Sequence, residues 1–333
     1  MGEVNRQLVL KQRPEGLVRD TDFELVEAPR PELAEGEALL KVEYLGIDAT
    51  VRTWLNRGEG YLPPVEIGEP VRCSGIGTVV ESRCDAFEVG QPAYGLPGWQ
   101  EYAVIRNDGF ATALERGADL PALLSVYGAT GLTAYVGVLD IGAAKPGETV
   151  VVSAAAGATG SLAAQIAKIQ GCRVVGICGS DEKVQWLVDD LGLDGAINYR
   201  NDHVASRLKE LCPDRIDVFF DNVGGDILDD VLGQIAMHGR VVLCGAISIY
   251  TAHGRPPGPG NYVNLISRRG RMQGFLSLDY WDRFPEVREK LAVWVEDGKL
   301  QWRAHYFEGL ESAPDALNAM FTGANIGKIV VRI

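Results

Sequence analysis

The sequence predicts an α/β chain with two kinds of sheet: an antiparallel, barrel-like half and a parallel sheet with helices on both faces. Three observations predict it. Residues 1 to about 122 hold short strand-like runs broken by Gly and Pro, the pattern of an antiparallel barrel. After Pro121 strands alternate with helix-length segments, as in a sheet covered on both faces. Between Glu148 and Gly179 a valine run, a small-residue turn with Gly157 and Gly160, a helix-period segment and a second apolar run follow one another. That order is a β-α-β unit.

In the first half the clearest strands are Ala38–Tyr44 and Gly75–Glu81, with Pro63-Pro64 and Pro97-Gly98 marking turns. In the second, strands are expected at Thr149–Ser153, Arg173–Cys178, Ala196–Tyr199, Asp217–Phe220, Arg240–Cys244 and Arg271–Leu276. Helices are expected near 160–170, 181–191, 202–211, 226–238 and 284–297. Ser180 and Asp181 suit a helix start, and Gly192, Gly239 and Gly298 suit helix ends. The last thirty or so residues read as short strands and loops, and the apolar run 327–333 is expected to close back onto the first half. The expected domains are therefore 1–122 with 300–333, and 123–299.

A length of 333 residues suffices for two domains, and 46% hydrophobic with 23% charged residues is the balance of a soluble globular protein. A net charge of −13 argues against nucleic acid as a partner, since phosphate backbones need a basic surface. No apolar run is long enough to span a bilayer, and the N-terminus lacks the layout of a secretory signal. A cytoplasmic protein is expected. The six cysteines show no C-x-x-C spacing, so free thiols are expected rather than disulfides or a zinc knot.

The turn after the valine run aligns Ala155, Gly157 and Gly160 with the three positions of G-x-G-x-x-G, the dinucleotide fingerprint of a doubly wound Rossmann sheet. The first glycine is missing, but the strand-turn-helix-strand context is present. Gly157 lets the backbone approach a pyrophosphate, the turn runs on through Ala158 and Thr159, and the N-terminus of the helix beginning near Gly160 supplies N–H groups and a favourable dipole. NAD-binding proteins place an acid at the end of the second strand. Here Gly179-Ser180 stand there, with Lys183 one turn later, which suits the 2′-phosphate of NADP(H). Asp181 and Glu182 are read as helix-start residues pointing outward.

The chain resembles the zinc-independent medium-chain dehydrogenases/reductases, in the branch of prostaglandin reductases, plant double-bond reductases and bacterial curcumin reductase. The resemblance is carried by Ala154–Gly160, Gly179–Lys183, Asn198-Tyr199, Asp221–Gly225, Cys244–Ser248, Met272–Phe275, Gly309–Pro314 and Asn325–Lys328. It implies a GroES-like barrel domain made by both chain ends, and often a homodimer joined through sheet edges of the nucleotide domain. It implies that Lys183 and Tyr199 hold the 2′-phosphate. It also implies that Asn222, the segment Cys244, Gly245, Ala246, Ile247 and Ser248, then Phe275, Leu276, Ser277 and Asn325 surround ribose and nicotinamide.

A zinc alcohol dehydrogenase would need Cys and His ligands grouped in the barrel half. The corresponding stretch, Ile67–Cys73, has no histidine, and all four histidines follow residue 200. No metal is expected. Without one, the simplest hydride chemistry is conjugate reduction of an α,β-unsaturated carbonyl, which needs a donor for the developing oxyanion. The resemblance points to Tyr250 for that role, with packing on the cofactor as its alternative.

The chain departs from the branch where relatives carry Asp-Pro-Tyr-Met-Arg, since it has Asp48–Arg52 with Thr50 in place of tyrosine; Ser267 replaces a second tyrosine. Thr50, Arg52, Trp54, Tyr61 and Tyr262 are candidate substrate residues, with Trp54 and Tyr61 equally readable as ordinary barrel aromatics. The Pro- and Gly-rich run 250–262 is either a lid or a connector. The expected function is an NADPH-dependent ene-reductase acting on enals or enones. A quinone or carbonyl reductase on the same scaffold, or a non-enzymatic NADPH-binding protein, stands as the alternative.

Overall fold

The computed structural model describes residues 4–58, 60–252 and 256–333. It divides into two compact units, Met1–Leu124 with Ala304–Asn325 and Ile329–Ile333, and Ser125–Arg303 with Ile326–Lys328.

The first unit opens with an antiparallel pair, β1 (Val4–Leu10) and β2 (Phe23–Pro29). Then come β3 (Glu37–Ile47), the one-turn helix α1 (Thr50–Trp54), β4 (Ser74–Ser82), β5 (Pro92–Gly95), β6 (Tyr102–Arg106), β7 (Thr112–Ala113) and α2 (Leu120–Leu123). The long β3 is central, because it pairs antiparallel with both β4 and β6. The core beneath holds Leu40, Leu45, Ile47, Cys73 and Trp99. Cys73 thus acts as a small buried hydrophobe.

The second unit comprises α3 (Ala129–Val136), β8 (Thr149–Ser153), α4 (Ala158–Ile169), β9 (Arg173–Cys178), α5 (Asp181–Gln185), β10 (Gly195–Asn198) and α6 (Val204–Leu211). It continues with β11 (Ile216–Asp221), α7 (Gly225–Leu232), β12 (Ile235–Leu243), α8 (Asn264–Arg268), β13 (Arg271–Gly274) and α9 (Phe284–Glu296). All its strand pairs are parallel, in the order β10-β9-β8-β11-β12-β13. The order reverses between β8 and β11, the topological switch point where open α/β sheets place ligands at their carboxyl ends. β8 is Thr-Val-Val-Val-Ser, buried at every position, because helices cover both faces of the sheet. This is a doubly wound Rossmann sheet.

The chain end supplies β14 (Ala304–Glu308), α10 (Ala313–Thr322) and β15 (Lys328–Arg332). From Ile329 onward β15 pairs antiparallel with β3, completing the sheet order β14-β15-β3-β4-β5-β7. The first unit is therefore a GroES-like antiparallel barrel drawn from both ends of the sequence.

Several elements differ from expectation. The helix expected over 226–238 stops at Leu232, and β12 starts at Ile235, five residues before the expected strand. Gly239 consequently lies inside a strand and caps no helix. The apolar spacing from Ile227 to Ala236 fits a helix, yet Ile235 pairs with Ile216 of β11, so sheet pairing overrides local periodicity. The segment 181–191 begins as α5 and widens into a π turn over Trp186–Asp190. β13 ends at Gly274 instead of reaching Leu276. The chain end contains the helix α10, where only short strands and loops were expected. Among the described residues no helix is long and apolar enough to cross a membrane.

Candidate functional site: a dinucleotide cradle at the carboxyl ends of the parallel strands

The turn from β8 into α4 shows how the missing first glycine is tolerated. The left-handed conformation falls on Ala154, at φ 48°, one residue before the expected glycine. Ala155 is fully buried and sends its N–H to Ile177 O at 2.9 Å. Its methyl group lies where any side chain on Gly176 of β9 would collide, 2.9 Å from an added Cβ. The glycine has in effect moved to the neighbouring strand. Gly160 remains obligatory, since a Cβ there would sit 2.3 Å from Ala154 O.

Gly157 is the N-cap of α4, and no side chain caps this helix. The first-turn N–H groups of Ala158, Thr159 and Gly160 therefore face outward with the positive end of the dipole, as an anionic pyrophosphate requires. On one side Gly327 closes the turn, its N–H reaching Ala156 O at 2.9 Å. Asn325, two residues earlier, is buried.

The end of β9 carries the 2′-phosphate candidates. Ser180 caps α5, its Oγ accepting the Lys183 N–H at 3.3 Å. Lys183 is buried, and burial above all lowers its ammonium pKa; the nearby Arg200 charge pushes the same way. The Tyr199 ring lies against Gly179, within 3.0 Å of where a Cβ would stand. Arg200 stands over the Tyr199 ring, 6.0 Å from its centroid. The acid that might have claimed a ribose hydroxyl is turned away: Asp181 Oδ1 accepts the Asn198 Nδ2–H at 2.7 Å. Glu182 is exposed on the first turn of α5. The strand end is thus cationic, with an aromatic plate. Arg200 is a residue that sequence reasoning passed over, although it directly follows Tyr199.

Beyond the switch point, Asp221 organises the third loop. It is fully buried, and burial raises its pKa. Its carboxylate accepts the N–H groups of Val223 and Gly224 at 2.9–3.1 Å and the Ser153 hydroxyl at 2.8 Å. Asn222 donates Nδ2–H to Ser153 O at 2.7 Å. Onto this loop folds 244–248: Cys244 N and Gly245 N reach Asp221 O, Ile247 N reaches Asn222 O, and Ser248 Oγ reaches Val223 O. The half-buried Cys244 thiol is pushed up to about 12 by burial. It is a packing residue with no thiolate chemistry at neutral pH.

Tyr250 ends the short helix Ile247–Ile249 and bends back, its hydroxyl oxygen accepting the Ala246 N–H at 3.1 Å. With that bond the oxygen is held while its proton stays available. Burial, the largest cause, raises the phenol pKa, so the group is a donor and not a base. Phe275 packs its ring tip over Gly137, 2.9 Å from an added Cβ. Leu276 is exposed, and Ser277 starts the helical turn that follows. The structure brings the strand-end residues onto one edge of this sheet.

In the barrel unit, Thr50 Oγ1 and Tyr61 OH are 2.6 Å apart, and Tyr61 meets Trp54 edge-on at 6.1 Å between centroids. Trp54 is buried in the barrel core, with Arg72 over its ring at 5.6 Å. Arg52 is a different case from the substrate residue expected. It is buried, and its guanidinium donates to Gly16 O, Pro14 O and Asn56 Oδ1 at 2.6–3.0 Å. Those bonds make it a latch between α1 and the loop after β1. Tyr262 lies in the second unit, exposed on the turn Gly260–Val263. Of the segment 250–262, residues 253–255 lie outside the described residues, His253 among them.

Residues 6–113 match the family model described as the N-terminal domain of oxidoreductase, and residues 158–292 the one described as zinc-binding dehydrogenase. The NADPH-dependent curcumin reductase of Escherichia coli is 36% identical over 99% of this chain and 97% of its own. The chain belongs to the medium-chain dehydrogenase/reductase family. Another member, the NADP(+)-dependent 2-alkenal reductase of Nicotiana tabacum, is 37% identical over 99% and 97%. The crystal structure of CurA from Vibrio vulnificus in complex with NADPH superimposes with a TM-score of 0.93, at 39% identity over 98% of each chain. The name of the second family model mentions zinc. Among the described residues of this family member no three His, Cys, Asp or Glu side chains come together to share a metal.

Proposed function

We propose that the chain is an NADPH-dependent ene-reductase that saturates the C=C bond of α,β-unsaturated carbonyls without a metal. What carries the proposal is similarity of 36–37% along the whole chain to two reductases named for NADP(H) and for curcumin or 2-alkenals. The residues at the strand ends fit the cofactor: a helix start behind Gly157 with no side-chain cap, and a buried lysine with Tyr199 where NAD-binding chains carry an acid. Gly157 to Gly160 bind the pyrophosphate. Ser180, Lys183, Tyr199 and Arg200 bind the 2′-phosphate. Asn222, the 244–248 segment, Phe275 to Ser277 and Asn325 frame ribose and nicotinamide.

Bound NADPH supplies the hydride that adds to the β-carbon. The chain's part is electrostatic. The Tyr250 hydroxyl, held by Ala246 N–H, donates its proton as a hydrogen bond to the carbonyl oxygen while charge builds there. Its raised pKa keeps that proton in place across the neutral range. Solvent can protonate the α-carbon, so no further acid is required. Thr50, Tyr61, Trp54 and Tyr262 are assigned to the substrate, and Arg52 is assigned to the barrel's internal latch. The reading includes a cytoplasmic location and a homodimer.

NADPH oxidation with enals, enones, quinones and ketones, combined with product analysis, tests the proposal. A saturated carbonyl from an enone is the expected product. An allylic alcohol, or turnover of quinones alone, would replace conjugate reduction with carbonyl or quinone chemistry.

A further inference from the structure

At the opposite edge of the parallel sheet from the cofactor loops lies a cavity of about 450 Å³. It opens among the amino ends of β8, β11 and β13 and the middle of β12, where Glu148, Asp217, His238, Arg240 and Arg271 stand. At about 3.3 Å per residue, five-residue strands separate it from the cofactor loops by roughly 15 Å. The chain carries a net charge of −13, yet this cavity is lined by Lys145, Arg240, Arg269 and Arg271 against Glu148 and Asp217.

Both carboxylates are already engaged. Glu148 pairs with the Arg240 guanidinium through both oxygens at 2.5 and 3.0 Å, and Asp217 accepts Thr149 N–H at 2.9 Å. Two of the arginines also have structural tasks. Arg240 donates to Gly142 O and Ala143 O, and Arg271 to Ile141 O. They cap the carbonyls at the end of the helical run that begins with α3.

Capping does not account for Lys145, Arg269 and His238. The Lys145 ammonium makes no hydrogen bond among the described residues, although its charge acts on Glu148, and Arg269 hydrogen-bonds there only to the carbonyl of Ser267. His238 and Arg269 both hold left-handed backbone, at φ 59° and 49°, as does Ala143 at 45°. Three of the five non-glycine residues with positive φ among the described residues thus line this one cavity. Such conformations are costly for side-chain-bearing residues and concentrate at functional sites.

We propose that this cavity is a second anion site, separate from the cofactor cradle, which takes a compact multiply charged anion of pyrophosphate size between Lys145, Arg269 and the free edge of Arg271. The bound oxygens would receive charge-assisted hydrogen bonds from guanidinium and ammonium groups already gathered at the cavity.

The probe is inorganic pyrophosphate, titrated calorimetrically into protein saturated with NADP+. One further site per chain is expected. Arg269→Gly, which relaxes the left-handed backbone, and Lys145→Gln should each weaken it roughly tenfold, with NADP+ affinity unchanged. Should one variant fail to fold, the other decides. Pyrophosphate binding that vanishes once NADP+ is present would place the anion in the cofactor turn; this overturns the second site and leaves the cofactor reading intact. Binding that persists unchanged in both folded variants overturns it as well.

Discussion

In the proposed function Lys183 and Tyr250 are the two side chains on which the chemistry turns, and their surroundings set opposite demands. Lys183 is a buried cation whose charge burial disfavours. A dianionic 2′-phosphate relieves that cost, whereas NADH offers only hydroxyls. Lys183→Ala should therefore weaken NADPH roughly 10- to 100-fold, as for a charged hydrogen bond, and NADH little. Fluorescence titration with the two cofactors checks it, and equal weakening would remove the 2′-phosphate role. Tyr250 is a neutral donor kept neutral by burial. Tyr250→Phe should lower kcat roughly 100-fold, the cost of one oxyanion donor, with cofactor affinity unchanged. Burial disfavours phenolate, so in the parent enzyme the alkaline loss of kcat/KM belonging to this group should lie above the ordinary tyrosine value of about 10. A kcat/KM profile that falls below it, and does so equally in the Phe variant, would assign the titration to another group. Arg52 marks where residue-level reading stopped. The Asp48–Arg52 motif was visible, but the carbonyls of Pro14 and Gly16 that hold the guanidinium lie more than thirty residues away.

At the scale of elements, β8, the turn and α4 were legible because each residue type has a local reason: valines buried on both faces, small residues where backbones meet, a helix period after them. What the sequence hid is the compensation between elements. Ala155 stands where glycine is usual because Gly176, on the adjacent strand, leaves the space, and no single-strand pattern shows that. β12 was hidden for a related reason, since its helix-like spacing is overruled by pairing with β11. The turn itself allows a sharp test. Gly160→Ala puts a methyl carbon 2.3 Å from Ala154 O, too close for any contact, so the turn must open. The expected cost is about 1–3 kcal/mol of stability, as for overpacking, with loss of NADPH affinity. Gly157→Ala, whose nearest contact would be 3.2 Å, should be milder. Thermal unfolding and cofactor titration of both variants rank them; the reverse order would mean that Gly157 makes the closer approach.

At the scale of the whole molecule, the parallel sheet ends in an unfinished edge. β13 is the last strand of its order, and all four of its residues are exposed. Close by in sequence, Val263 and Ile266 are exposed apolar groups, Ile266 at 78%. Proteins rarely leave an edge strand beside apolar surface uncovered, because its free N–H and C=O groups invite pairing. A two-fold axis lets β13 pair antiparallel with its own copy, which joins two six-stranded sheets into one and leaves neither β13 edge open. Light scattering on the native chain should accordingly give twice the 36.0 kDa of the monomer. Met272→Glu sets like charges across that axis and should yield monomers whose NADPH affinity is kept, since Met272 is not among the residues proposed to hold the cofactor. A native chain that runs as a monomer would leave the edge to some other cover. A Met272→Glu dimer would move the interface away from β13.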